Sequence, residues 1–72
     1  MVRLTPLDEL RALFTSDSPD YSRMRRLAII ITLQMTDRAA AAALHQDIEA
    51  AISLYEVDRD AGWLALEFID FP

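Results

Sequence analysis

The run RRLAIIITLQMTD, Arg25 to Asp37, constrains this chain more than any other segment, because each conformation open to it gives a different protein. Between Leu27 and Met35 only Thr32 and Gln34 are polar. A helix would set Ile29, Ile30, Ile31 and Thr32 in succession, where β-branched side chains lose χ1 freedom against the preceding turn. A strand accepts them readily. Positions 27, 29, 31, 33 and 35 read Leu, Ile, Ile, Leu and Met, one wholly apolar face, whereas 26, 28, 30, 32 and 34 read Arg, Ala, Ile, Thr and Gln. This period of two predicts a strand over 26–35 with one face on a core. The run is also too short for a bilayer, which needs about 20 apolar residues.

The next segment changes period. Thr36 is placed to cap a helix, Asp37 to face its positive end, and DRAAAAALHQDIEAAI follows, rich in the best helix former. Its apolar stripe Ala40, Leu44, Ile48, Ala51 and Ile52 keeps 3.6-residue spacing and predicts a helix over 37–51. The tail ISLYEVDRDAGWLALEFIDF then reads as a hairpin over 52–71. Asp58-Arg59-Asp60-Ala61-Gly62 supplies the turn, with Gly62 free to take positive φ. One hairpin face gathers Ile52, Leu54, Leu64, Leu66 and Phe68, and a slip by one residue would scatter both faces. The competing reading of 58–70 is a further helix. At the N-terminus, Thr5 as cap, Pro6 in the first turn and Asp8 three residues on predict a short helix whose apolar side is Leu7, Leu10 and Phe14. TSDSPD, residues 15–20, reads as a polar loop, with Ser18-Pro19 opening a possible helical turn through YSRMRR.

The expected architecture is therefore an α+β domain of order α-β-α-β-β, a single unit over 1–72. The first two strands are joined by a right-handed crossover, and the last strand lies between them, giving sheet order 1-3-2, half of a split βαβ arrangement. That likeness is one of fold and carries no function.

With 72 residues and no cysteine, the chain is near the size at which one core barely offsets chain entropy, and nothing staples it. Its 53% hydrophobic content is high for a small domain, whose large surface-to-volume ratio calls for more polar residues. A homodimer follows as an expectation, made through the second sheet face at Ile30, Tyr55, Val57, Trp63 and Ala65. The formal net charge of −5, from twelve acids against seven arginines and no lysine, disfavours nucleic acid as a partner. The first ten residues show no apolar leader core, so the expected compartment is the cytoplasm, with no membrane contact.

Signals for chemistry are sparse. His45 is the only histidine and lacks a partner at triad or metal spacing. DRDAG has two aspartates two apart, but its glycine comes one position early for a calcium loop and no bidentate Glu follows at the required offset. Gly62 is the only glycine, which excludes the familiar phosphate-binding loops. Arg23, Arg25 and Arg26 form the one positive cluster, able to hold an anion or an acidic partner, or to pair with Asp17 and Asp20. No catalytic constellation, metal or cofactor is expected. The reading is a small non-enzymatic interaction or regulatory module, acting as a homodimer on another protein. The alternative is a small-molecule sensor with its ligand held at the dimer interface.

Overall fold

A computed structural model describes residues 5–71, and among them every regular element is helical. The four helices are α1 (Pro6–Phe14), α2 (Tyr21–Leu33), α3 (Arg38–Val57) and α4 (Arg59–Phe68). The α+β sheet, its 1-3-2 order and the 52–71 hairpin are thereby overturned. The competing helix over 58–70 is the one that forms.

Side-chain caps define the helix starts. The Thr5 hydroxyl accepts from the Asp8 amide at 3.2 Å, with Pro6 in the first turn, as the sequence predicts. The Asp20 carboxylate accepts from Arg23 N at 3.0 Å and starts α2 at Tyr21, upstream of the apolar run that opens at Leu27. For α3 the cap is Asp37 rather than Thr36: its Oδ1 accepts from Ala39 N at 3.0 Å and Ala40 N at 3.2 Å. Asp58 alone joins α3 to α4. Its amide donates to Leu54 O at 2.7 Å, its carbonyl accepts from Gly62 N at 3.0 Å, and its carboxylate caps Asp60 N and Ala61 N. The DRDAG segment is thus a one-residue break between two helices, and not a hairpin turn.

The buried residues show why α2 is a helix. Met24, Leu27, Ala28 and Thr32 are buried, at helical spacing, and Ile31 and Met35 continue the same side. Ile29 and Leu33, which a strand would place beside Leu27, are 49% and 66% exposed. Buried Thr32 is satisfied within its own helix, its hydroxyl lying 3.0 Å from both Ala28 O and Ile29 O. The C-terminal end is closed by Arg38, whose guanidinium donates to Thr32 O and Met35 O, a cation on the negative end of the dipole.

α3 is the central element, packed between α2 and α4, and α1 rests on α2 and α4. The molecule measures 33 × 32 × 20 Å, and its short axis is about two helix diameters, so the helices form two layers. The core runs through all four helices: Leu10 and Phe14, then Met24, Leu27 and Ala28, then Leu44, Ile48, Ala51, Ile52 and Tyr55, then Leu66. Helix α3 follows its predicted stripe and shifts it slightly, since Ala41 is buried where Ala40 is exposed.

Candidate interaction surface

The arginine cluster is largely consumed by the fold. On α2, Arg23 hydrogen-bonds Glu9 of α1, and that bond and charge hold its guanidinium above its ordinary pKa. Arg25 reaches the other way, to Glu56 at 2.8 Å and Glu49 at 3.6 Å, two turns apart on α3. Arg26 is exposed. The pairs are internal, as the sequence allows, but their acids are Glu9, Glu49 and Glu56. Asp20 serves instead as the α2 cap.

The five residues expected at a dimer interface do not share a surface, because the sheet that would have aligned them is absent. Tyr55 is a core residue. Its ring lies 4.9 Å from Phe14 and 6.2 Å from Tyr21, centroid to centroid. Its hydroxyl accepts from Arg59 Nε at 3.0 Å, which raises the guanidinium's pKa above its ordinary value, and the same guanidinium donates to Ser16 O. Ile30 is half-buried on α2, Val57 is exposed at the end of α3, and Trp63 and Ala65 are half-buried on opposite flanks of α4. Trp63 lines a cleft with Phe14, Thr15, Arg59 and Asp60. Ala65 lines another, on the α3 side, with Asp47, Ala50, Ala51, Phe68 and Ile69.

His45 sits half-buried with Nε2 3.6 Å from Glu49 Oε1, one helical turn away. Among the described residues no group of three His, Asp or Glu side chains is placed to hold a metal ion. A further cleft lies where the start of α1 meets the end of α2 and Phe71, and it is mostly apolar. No cluster of groups suited to acid–base or nucleophilic chemistry lines any of these clefts.

What stands out is the outer face of α3 and α4. Gly62 and Leu66 turn inward on α4, so Ala61, Leu64, Ala65 and Phe68 fall along its α3-side flank and outer surface. On α3 the same side carries Ala50, Leu54 and Val57. Val57 is 89% and Phe68 85% exposed, and Leu54 and Leu64 are about half exposed. The sequence reading put Leu54, Leu64 and Phe68 on a buried face with Ile52 and Leu66. The structure separates them: Ile52 and Leu66 are core, and the other three face outward. The signal that finds them is helical spacing measured from Gly62 and Leu66, which becomes usable only once α4 is read as a helix.

The charges around this face are of one sign. Asp47 and Asp70 line the α3–α4 groove, Asp58 marks the junction and Glu67 is exposed on α4, whereas Asp60 lines the Trp63 cleft with Arg59. Arg59, the one cation between Ala39 and Phe71, is turned to the other flank, onto Tyr55 and Ser16. No helix among the described residues is long and apolar enough to cross a membrane. Compared with protein families, curated proteins and solved structures, the chain finds no match.

Proposed function

We propose that this chain is a small, non-enzymatic protein-interaction module whose working surface is the outer face of α3 and α4. One observation carries the reading: Val57 and Phe68 are largely exposed and Leu54 and Leu64 about half exposed, four large apolar side chains on two adjoining helices that lie outside the core cluster. Large contiguous apolar patches rimmed by polar residues mark interaction sites. The alternative sensor reading needs a cation at a ligand site, and two of its three candidate arginines are held by Glu9, Glu49 and Glu56.

Co-purification from the native host tests the proposal. Wild-type chain and a Leu54→Ser/Phe68→Ser variant are tagged, recovered in parallel, and compared by circular dichroism to confirm equal helicity. The expected result is a partner, or a second copy, that the wild type retains and the variant loses. Retention by both would place the interaction elsewhere and overturn the assignment of the face.

A further inference from the structure

We infer that the occupant of the α3–α4 face is an amphipathic helix whose apolar stripe is flanked by arginine or lysine. This inference rests on the interaction reading above and adds the chemistry of the partner. The face has the shape that helix-in-groove recognition uses, two adjacent helices with a shallow apolar furrow between them. Its floor is Ala50, Ala51 and Ala65, small enough to let another backbone come close, and Phe68 stands as a wall. Leu54 and Val57 extend the apolar surface along α3 toward Asp58.

Charge then selects among occupants. Asp47 and Asp70, the acids that line the groove, make no ion pair among the described residues. A second copy docking face to face by a two-fold operation would bring two acidic rims together, and like charges across an interface oppose association. A basic helix meets the same rim with opposite charge, gaining both rate of encounter and discrimination against acidic competitors. Segregating acids here, while Arg23, Arg25, Arg38 and Arg59 are engaged on other flanks, is the arrangement such a partner requires.

The test uses the 72-residue chain, isotope-labelled, and two synthetic amphipathic peptides of about 15 residues, long enough for helix to form on docking. Both peptides carry the same Leu/Ala stripe, flanked in one by Arg and in the other by Glu. The Arg peptide should shift the amide signals of Ala50, Leu54, Ala65 and Phe68, and should bind at least about tenfold more tightly than the Glu peptide at low salt. The preference should shrink as ionic strength rises past about 0.15 M. In an Asp47→Arg/Asp70→Arg variant with a well-dispersed spectrum, the preference should reverse. Equal binding of the two peptides, tighter binding of the Glu peptide, or binding of neither overturns the basic-helix inference. So does a wild-type dimer that buries Phe68 at low salt. In each of those cases the host co-purification still decides the interaction face itself, so the two failures are separable.

Discussion

Gly62 is where the absence of one atom fixes the packing of two helices. It lies inside α4 without positive φ, so its conformational freedom is unused. A Cβ built there would meet Cα and Cβ of Tyr55 at 2.4 Å and its amide nitrogen at 2.5 Å. Two effects of Gly62→Ala oppose each other. Helix propensity favours alanine by about 1 kcal/mol. The clash is against backbone, which cannot swing aside like a side-chain tip, and overpacking of this kind costs about 1–3 kcal/mol or more. The clash wins, and the midpoint of urea unfolding should fall. A raised midpoint would mean that α3 and α4 cross at a greater distance. In the sequence, the same glycine suggested a turn, because composition reveals that a residue lacks a side chain but not which consequence matters. The α1 cap was more legible, since Thr5 and Pro6 act locally, whereas α2, α3 and α4 are capped by Asp20, Asp37 and Asp58, where the sequence pointed to a loop, to Thr36 and to a turn.

Whole elements were legible in proportion to how strictly their apolar residues obeyed one period. α1 and most of α3 repeat at helical spacing and were readable. α2 was not, because Leu27 to Met35 is apolar at nearly every position and satisfies both periods at once. The deciding residues lie upstream, where Tyr21 and Met24 continue the helical side through Leu27, Ala28 and Ile31, and Asp20 caps it. Tertiary burial outweighs the modest helix penalty of three isoleucines, which amounts to a few tenths of a kcal/mol each. α4 misled in the same way, since WLALEF alternates as well as it spirals. A pair of substitutions separates the periods. Leu27 is 1% exposed, and Leu27→Ala should cost about 2–5 kcal/mol as a large-to-small change in a packed core. Ile29→Ala, two residues on, should shift the unfolding midpoint little. Equal costs at both sites would restore the strand.

At the scale of the whole molecule, the interaction surface was invisible in the sequence for a physical reason: it is defined by which side chains the core leaves out. The hydrophobic excess was legible, and it does lie partly outside the core, but on helix surfaces rather than on a sheet: Leu54, Val57, Leu64 and Phe68 on α3 and α4, and Ile29 and Leu33 on α2. Its energetics follow from that placement. Phe68 contributes little burial to the isolated fold, so Phe68→Ser should change stability by no more than about 0.5 kcal/mol, while half-buried Leu54→Ser should cost about 1 kcal/mol. Their main effect should appear in association, and salt makes it measurable. At low ionic strength the acids that border the face repel a second copy, and light scattering behind a sizing column should report a mass near 8.2 kDa. At about 1 M salt the Debye length falls to about 3 Å, the repulsion is screened, and apolar attraction between faces remains. The wild-type mass should then rise toward a dimer, while the double serine variant stays monomeric. A dimer that is stable at low salt and dissociates as salt is added would show that ion pairs hold it, and that association runs through the arginine-bearing side of the molecule instead.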